Sequence, residues 1–394
     1  MGYSFDLPVD QSQLQTMKWA PRCRENRDLL CFSLADSDFC APPQLVRRLT
    51  ERAAKPHYGY TYRPDSFYAS VVNWYQRQAA WSIQPGWISK GYGIYPSICL
   101  MIQEFTQPGD GVIFQTPVHE VFWTVVQANG RRPVENPLLL TEGGYQIDFA
   151  DFEAKIVENR VRLYMLCSPH NPVCRVWTRE ELLHLAEICL RHGVLIVSDE
   201  VYAPLVHPGV SFLPIASLSP EISAHTLTCF SPSKAFSLTG IKDSLVIAEN
   251  PDCFQRYEQS LVRMNMNFGA NLFGTVAIQC VLDECGGWLA QQLRYVLETR
   301  RQMEAYLAEN LPEVRLMPAQ ATCFAWLDFR ALGMEDQALE RFLTDRAGVL
   351  LRPGYLMGPG GSGFMRMVLA CPRETVMQGL RQICGALRAE GRRA

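Results

Sequence analysis

The fold of this chain is constrained most by a regular alternation of short apolar runs with amphipathic helical patterns between about residues 60 and 285. The runs that predict strands are 86–90, 111–115, 162–167, 194–198, 226–230 and 244–248. Strands that alternate with helices usually form a mainly parallel sheet that is covered on both faces. The sequence therefore predicts an α/β fold built around one such sheet.

The clearest helical pattern covers residues 178–192. Thr178 is a suitable N-cap, and Glu181 stands three residues later, which is the spacing of a capping box. Leucine and alanine then recur on one face of the predicted helix. Gly193 follows the last turn and predicts its end.

The length of the chain indicates two domains, because 394 residues exceed what one hydrophobic core usually serves. From about residue 286 the pattern changes to that of an α+β unit. It predicts a long helix over 288–310, a strand over 322–329, a helix over 335–347, a strand over 364–370 and a final helix. We expect a large domain over 50–285 and a small α+β domain formed by 1–49 and 286–394.

Charge and composition exclude several classes of partner. The formal net charge of −3 provides no basic surface for nucleic acid or for an anionic membrane. The first residues lack a basic segment followed by an apolar core, so no signal peptide is predicted. The fourteen cysteines are scattered and form no pair of CxxC knuckles, so we expect reduced thiols, no metal site and a cytoplasmic protein.

Three polar residues stand where strands of the predicted sheet end or just beyond. Asp199 follows the run 194–198, Lys234 follows the run 226–230, and Asn171 lies in a proline-flanked turn after the run 162–167. Alone, each has a simpler interpretation as a helix cap, a solvated surface charge or a turn residue. Ligands gather at the carboxyl ends of strands in α/β sheets. Together the three supply a Schiff-base amine, a carboxylate for a pyridine nitrogen and a donor to a phenolic oxygen, which is what pyridoxal 5'-phosphate (PLP) requires.

Further residues could bind the phosphate and ring of this cofactor. A glycine-rich turn that opens a helical pattern offers backbone N–H groups to an anion. The candidate donors are Gly93, Ile94 and Tyr95 in that turn, with Ser231, Ser233 and Lys242. His119 is expected to stack on the pyridine ring, and Tyr202 to donate to its phenolic oxygen.

The segments that carry these residues resemble a known family. Ser-Pro-His-Asn-Pro at 168–172, Ser-Asp-Glu-Val-Tyr at 198–202 and Ser-Pro-Ser-Lys at 231–234 occur in the order typical of fold-type I PLP enzymes, the aminotransferase class I/II superfamily. Shorter segments resemble the MalY/PatB-type C–S lyases, which are cystathionine β-lyase-like. They are Lys-Trp at 18–19, Ala-Asp-Ser-Asp-Phe at 35–39, Tyr-Gly-Tyr at 58–60, Pro-Gly-Tyr at 353–355 and Gly-Phe-Met-Arg at 363–366.

The resemblance implies a fold and a set of cofactor contacts. The fold is a large PLP-binding domain with a mainly parallel, seven-stranded sheet, together with a small α+β domain. Lys234 would bind PLP covalently and Asp199 would contact the ring nitrogen. Asn171 and Tyr202 would contact the phenolate, and Lys234, Asp199 and Tyr202 are the predicted catalytic residues. Tyr60 would reach the phosphate of the neighbouring subunit, which implies a homodimer with shared active sites.

The resemblance also implies how an amino-acid substrate is bound. Arg366 would clamp the substrate α-carboxylate through bidentate hydrogen bonds. Asp38 and Asn171 are the other predicted substrate contacts. The expected reaction begins with removal of the Cα proton by Lys234 and continues with β-elimination that cleaves a C–S bond of cystathionine or another S-substituted cysteine.

Several positions depart from the lyase pattern and leave alternatives open. The pattern usually has His at the position of Tyr202 and Tyr at the position of His119, and Ser37 replaces a usual Met. Tyr202 is typical of aminotransferases, so transamination is one alternative. A specialised biosynthetic β- or γ-eliminase or cyclase for an unusual amino acid is another. A protein on this fold without catalytic activity is the third, because fold does not determine function.

Overall fold

The structure is a computed structural model of the chain, and it describes residues 3–11, 13–25 and 28–391. The α-helices are α1 Ala20–Glu25, α2 Pro43–Ala53, α3 Asp65–Ala79, α4 Ile94–Phe105, α5 Val121–Ala128, α6 Phe149–Glu158, α7 Arg179–Arg191, α8 Pro220–Ala224, α9 Pro251–Arg263, α10 Leu272–Glu284, α11 Gly286–Asn310, α12 Asp336–Arg341 and α13 Arg373–Ala389. Short 3-10 turns, among them Pro232–Lys234 and Thr239–Ile241, connect some of the elements.

The strands belong to two large sheets and two small ribbons. They are β1 Leu30–Cys31, β2 Ile88–Gly91, β3 Gly111–Thr116, β4 Arg132–Pro137, β5 Leu139–Thr141, β6 Gly144–Gln146, β7 Val161–Cys167, β8 Leu195–Asp199, β9 Thr226–Phe230, β10 Ser244–Ile247, β11 Arg315–Leu316, β12 Phe324–Asp328, β13 Val349–Leu350, β14 Arg352–Pro353 and β15 Phe364–Val368.

The larger sheet has seven strands in the order β2-β10-β9-β8-β7-β3-β4. Strand β10 runs antiparallel to both of its neighbours, and the other pairings are parallel. The predicted mainly parallel sheet is therefore confirmed. Every residue of β3 and β9 is buried, as expected for strands covered by helices on both faces.

The prediction missed one strand of this sheet, β4. Its sequence contains two prolines and several polar residues, and it does not predict a strand because proline cannot donate a hydrogen bond to a neighbouring strand. The strand lies at the edge of the sheet and pairs only with β3 among the described strands. An edge strand tolerates proline because one of its sides needs no hydrogen-bond partner.

Helix α7 forms as its sequence predicts. The Thr178 hydroxyl accepts a hydrogen bond from the Glu181 backbone N–H at 3.2 Å, and the Glu181 carboxylate accepts one from the Thr178 N–H at 2.8 Å. This reciprocal capping box satisfies two N–H groups that the helix leaves unpaired. Gly193 has a φ of 63° just after the last turn, as expected of a helix stop.

The smaller sheet is antiparallel, with the order β11-β12-β15-β14, and helices α11 and α13 pack together beside it. The N-terminal segment joins this half of the chain, because β1 pairs in parallel with β13. This pairing supports our prediction that 1–49 and 286–394 form one domain and 50–285 the other, which remains a proposal. Within the described residues, no helix has both the length and the apolar character to cross a bilayer.

Candidate active site

A cavity of about 220 Å³ lies at the carboxyl ends of the neighbouring parallel strands β8 and β9. Strand β8 ends at Asp199, and Ser231 directly follows β9. The predicted site residues that line the cavity are Gly93, Ile94, Tyr95, His119, Asp199, Tyr202, Ser231, Ser233, Lys234 and Lys242. A larger cleft of about 410 Å³ lies beside Arg175 and Glu181, but these two residues already form an ion pair at 2.9 Å. The smaller cavity is therefore lined by most of the residues for which the sequence predicts a role in binding or catalysis.

Asp199 is a buried carboxylate with few partners. Its side chain accepts a hydrogen bond from the backbone N–H of Val201 at 3.2 Å. Burial raises the pKa of Asp199 to about 7, and this N–H and the Lys234 ammonium oppose the shift only in part. A cationic ring N–H would supply the positive counter-charge that the Asp199 carboxylate lacks.

Lys234 ends a 3-10 turn that directly follows β9. The Ser231 hydroxyl caps this turn by accepting a hydrogen bond from the Ser233 N–H at 3.3 Å. The Lys234 ammonium Nζ donates to the carbonyl oxygen of Ala35 at 2.6 Å. Burial lowers the pKa of Lys234, which favours the neutral amine that can act as a nucleophile or a base.

The start of helix α4 offers an anion-binding end to the cavity. Gly93 precedes the helix with a φ of 113°, a conformation that side chains rarely tolerate. Its own N–H donates to the Ser244 hydroxyl at 3.1 Å. The N–H groups of Ile94 and Tyr95 lie in the first helical turn, where N–H groups have no partner within the helix, and Lys242 adds a positive charge to the same cavity.

His119 lies beside Tyr95 on the wall of the cavity. The two rings are nearly parallel, with an interplanar angle of 10° and centroids 6.0 Å apart, and the Tyr95 hydroxyl lies 3.2 Å from His119 Nδ1. Burial lowers the pKa of His119 to about 4 and holds that of Tyr95 well above its ordinary value. At neutral pH the phenol and the imidazole are therefore both neutral, and a hydrogen bond joins the Tyr95 hydroxyl to His119 Nδ1. Stacking of His119 on a pyridine ring remains a prediction.

Arg366, Asn171 and Tyr202 form a buried chain of hydrogen bonds. Arg366 Nη1 donates to Asn171 Oδ1 at 2.9 Å, and Asn171 Nδ2 donates to the Tyr202 hydroxyl at 3.4 Å. The second guanidinium nitrogen, Nη2, donates to the carbonyl oxygen of Ser33 at 2.8 Å, and the Nε of Arg366 has no hydrogen-bond partner among the described residues. Both acceptors are neutral, and among the described residues no carboxylate forms an ion pair with this guanidinium. A substrate carboxylate would compensate its charge.

Two predicted residues lie apart from this group. The Asp38 carboxylate accepts hydrogen bonds from Lys18 Nζ at 2.8 Å and from Trp19 Nε1 at 2.9 Å, and Asp38 does not line the cavity. Tyr60 is 87% exposed and its ring packs edge-on against Phe268. The structure therefore does not bring these two side chains together with the others, and their roles remain predictions.

Six lining residues were not predicted from the sequence: Ala35, Tyr92, Pro96, Val201, Thr239 and Asp243. The Thr239 hydroxyl donates to Asp36 at 2.8 Å, and Asp243 pairs with the buried Arg63 at 2.7 Å. These contacts join segments about 180 to 200 residues apart, which no local pattern reveals. Asp243 directly follows Lys242 in the sequence, and this adjacency to a predicted phosphate residue is the local signal of its place in the site.

The lining fits PLP from one end to the other. An underpartnered carboxylate suits the ring nitrogen, an amine of lowered pKa suits the aldehyde carbon, and a helix start with Lys242 suits the phosphate. In each case the cofactor would supply the partner that the buried group lacks.

Comparison with known proteins agrees with this fit. The family model "Aminotransferase class I and II" matches residues 36–383. Cystathionine beta-lyase PatB of Bacillus subtilis (strain 168) is 37% identical over 388 residues, which cover 98% of this chain and 100% of PatB. Protein MalY of Escherichia coli (strain K12) is 28% identical and covers 92% of each chain.

A solved structure extends the similarity to three dimensions. Cystalysin from Treponema denticola, whose crystal structure contains PLP, superimposes with a TM-score of 0.95 at 31% identity, covering 99% of this chain and 100% of cystalysin. Because the match covers 99% of this chain, it includes both sheets and residues that line the cavity. The chain therefore belongs to the aminotransferase class I and II family, and within it to the PLP-dependent C–S lyase group that the sequence pattern indicated.

Proposed function

We propose that this protein cleaves the C–S bond of cystathionine or another S-substituted cysteine by β-elimination. The thioether and one water molecule give a thiol, pyruvate and ammonium, so that no oxidant or second substrate is needed. The names of similar proteins, among them PatB, support the reaction class. The observation that carries the proposal is that Asp199 and Lys234, two buried ionisable groups with incomplete partners, line one cavity, and that the buried Arg366 is joined through Asn171 to Tyr202 in its wall.

Each of these groups has a defined task in the proposed reaction. PLP, when bound, captures the substrate amino group and withdraws electrons from Cα. Arg366 holds the substrate α-carboxylate, and Asp199 holds a proton on the ring nitrogen. The neutral amine of Lys234 removes the Cα proton, after which the thiolate leaves from Cβ. Asn171 and Tyr202 donate hydrogen bonds to the phenolic oxygen and so fix the orientation of the ring.

Transamination is the second candidate, and Tyr202 favours it. A tyrosine after Ser-Asp-Glu-Val is typical of aminotransferases. Its hydroxyl lies 3.4 Å from the Asn171 amide. Both reactions begin with removal of the Cα proton, so the residues described above serve either of them. The two candidates differ only in where the next proton goes and in whether a keto acid is consumed.

A product assay on the purified PLP enzyme separates the two candidates. L-cystathionine is supplied with and without 2-oxoglutarate, and pyruvate, ammonium and glutamate are measured. We expect pyruvate and ammonium without the keto acid, and loss of both in a Lys234→Ala variant. Turnover that requires 2-oxoglutarate and yields glutamate would identify an aminotransferase. No turnover under either condition, with PLP bound, would favour a specialised substrate.

We further propose that the enzyme is a homodimer in which Tyr60 contacts the phosphate bound by the other subunit. The support is an exposed aromatic cluster beside the cavity-forming segments: Tyr58, Tyr60, Tyr62 and Phe268 are 59, 87, 80 and 66% exposed. A monomer rarely leaves so many large rings in water. The proposal also includes a cytoplasmic location, supported by the high cysteine content.

Mixing two inactive variants tests the shared site. In a dimer of Lys234→Ala and Tyr60→Ala subunits, a Tyr60 that acts across the interface leaves one site wholly wild-type. We expect activity of the mixture to rise to about a quarter of wild-type after random exchange. A mixture no more active than the mean of its parents would show that Tyr60 acts within its own subunit or has no role. Light scattering gives the oligomeric state independently.

A further inference from the structure

A second pair of charged residues lies next to the substrate-binding arginine. Arg352 belongs to β14, and its guanidinium donates to the carboxylate of Glu120, which immediately follows His119 and precedes α5. The pair therefore joins the smaller sheet to a wall of the cavity. Both side chains are partly exposed, at 31% for Arg352 and 29% for Glu120.

The register of the smaller sheet sets Arg352 beside Arg366. The two residues are directly opposite on the antiparallel strands β14 and β15. Side chains at such positions point to the same face and have Cβ atoms about 5 Å apart. Arg366 is buried and Arg352 is partly exposed, so Arg352 is the neighbour of Arg366 that lies nearer to the protein surface. Two like charges at this spacing repel, and the Glu120 carboxylate offsets one of them.

Glu120 keeps a free acceptor in this arrangement. Its Oε1 binds Arg352, whereas its Oε2 is buried and has no hydrogen-bond partner among the described residues. His119 Nε2 lies 4.0 Å from Oε2, which is too far for a hydrogen bond. A buried carboxylate oxygen without a donor is costly, so a ligand donor at this position would be favoured.

We propose that Glu120 and Arg352 form the subsite for the substituent on sulfur, and that they select substituents that end in an amino acid. Arg352 binds the distal carboxylate of the substrate, and Glu120 binds the distal ammonium. The inference rests on the proposed function, since it concerns the substrate of the same site. It narrows the substrate class from any S-substituted cysteine to thioethers with an amino-acid group at each end.

The charge balance favours a zwitterionic substituent over the alternatives. An apolar substituent would remove both charged groups from water and return no hydrogen bond to either. A substituent with only a carboxylate would have to compete with Glu120 for Arg352 and would leave Glu120 unpaired. A zwitterion offers each group a partner of opposite charge, and the net charge of the site does not change.

Four substrates that differ only at the distal end test the subsite. They are L-cystathionine, S-(3-carboxypropyl)-L-cysteine, which lacks the distal amine, S-(3-aminopropyl)-L-cysteine, which lacks the distal carboxylate, and S-propyl-L-cysteine, which lacks both. We expect kcat/KM to be on the order of a hundredfold higher for cystathionine than for the S-propyl compound. Glu120→Gln should reduce kcat/KM about tenfold for the two substrates with a distal amine, and Arg352→Gln about tenfold for the two with a distal carboxylate.

Matched controls come from an exposed ion pair between helices α6 and α7, neither of whose members lines the cavity. Glu153 and Arg191 form a similar pair at 2.5 Å, and Glu153→Gln and Arg191→Gln should leave the substrate preference unchanged. Equal losses on all four substrates in the Glu120 and Arg352 variants would overturn the subsite. That result would make the pair a tether between the sheets.

Equilibrium binding separates failure of the subsite from failure of the proposed function. The Lys234→Ala variant with PLP cannot complete turnover, so calorimetry reads affinity for the four compounds directly. Tighter binding of cystathionine, weakened by Glu120→Gln in this background, would support the subsite even if the wild-type enzyme released no pyruvate. Equal affinities for all four compounds would contradict it even if the wild-type enzyme is a lyase.

Discussion

Two buried aspartates, Asp38 and Asp199, show how differently this molecule treats a carboxylate. Their exposed fractions are similar, 6% for Asp38 and 3% for Asp199, and burial raises the pKa of both. Asp38 has Lys18 and Trp19 as donors within 2.9 Å. Asp199 has one backbone N–H at 3.2 Å.

The difference teaches how to separate structural from functional charges in such a fold. The protein itself supplies the counter-charge of the Asp38 carboxylate, which is Lys18. The backbone N–H of Asp38 donates to the carbonyl oxygen of Ala370 at 2.8 Å, which attaches this part of the N-terminal segment to the region of the smaller sheet. The Asp199 carboxylate is left incomplete beside a cavity. An uncompensated buried charge is destabilising, so its place in the structure is best explained by a ligand that completes it.

The largest effect that this comparison predicts is on activity. Asp199→Asn removes the carboxylate that holds a proton on the ring nitrogen, and we expect kcat/KM for elimination to fall on the order of a thousandfold, which corresponds to about 4 kcal/mol. The cofactor-free protein should lose no stability at pH 8, because a costly buried charge is removed. Steady-state kinetics and urea denaturation measure the two quantities. Near wild-type activity would contradict a functional role for Asp199.

The matching substitution at Asp38 should affect stability instead. Asp38→Asn leaves the buried Lys18 ammonium without its counter-charge, and we expect the free energy of unfolding to fall by about 3 to 5 kcal/mol. Turnover per folded molecule should change less than about twofold. An increased KM at unchanged stability would favour the substrate-binding role that the family resemblance implies for Asp38.

The two aspartates also differ in how stability should depend on pH. The pKa of Asp199 is about 7 in the folded protein, whereas its ordinary value, which we assign to the unfolded chain, is 3.8. Between these two pH values the folded state therefore keeps a proton that the unfolded state has released. Stability of the cofactor-free protein therefore falls as pH rises from about 4 to about 7. Between pH 5 and pH 8 the ionisation of Asp199 therefore lowers the free energy of unfolding by about 3 kcal/mol.

Urea denaturation at the two pH values, with Asp199→Asn beside the wild type, isolates this contribution. Burial raises the pKa of the neighbouring Glu200 to about 8, and the charge of Asp199 adds to this shift, so Asp199→Asn also lowers the pKa of Glu200. The difference between the two slopes therefore reports the titration of Asp199 together with its effect on Glu200. Equal slopes would mean that Asp199 is ionised throughout and that another group compensates its charge.

The smallest expected effect comes from replacing the whole structural pair. A Lys18→Met, Asp38→Leu double variant removes both charges together, and buried ion pairs can often be replaced by apolar residues of similar volume at little cost. We expect the free energy of unfolding to change by less than about 2 kcal/mol, part of it from the lost Trp19 hydrogen bond. A loss as large as that of Asp38→Asn alone would show that the pair contributes more than its mutual charge compensation.

Local sequence patterns predicted the parts of this protein that local physics decides. Helix α7 follows from its capping box, and six strands of the larger sheet follow from apolar runs of strand length. Strand β4 was missed because its prolines are tolerated only at a sheet edge, and its edge position is a property of the assembled sheet. The predicted helix over 335–347 is shorter than expected, since α12 ends at Arg341 and a π-helical turn, Phe342–Arg346, follows it.

The sequence by itself determined the class of fold, the PLP chemistry and the residues that follow the central strands, such as Asp199 and Lys234. These residues could be recognised because a parallel sheet sends the ends of its strands to one edge. Only the tertiary structure decided that Asp38 is satisfied by Lys18, that Tyr95 contacts His119, and that Glu120 meets Arg352 across 232 residues. Whether a buried charge is complete depends on partners from distant segments, and those partners are fixed by packing in three dimensions.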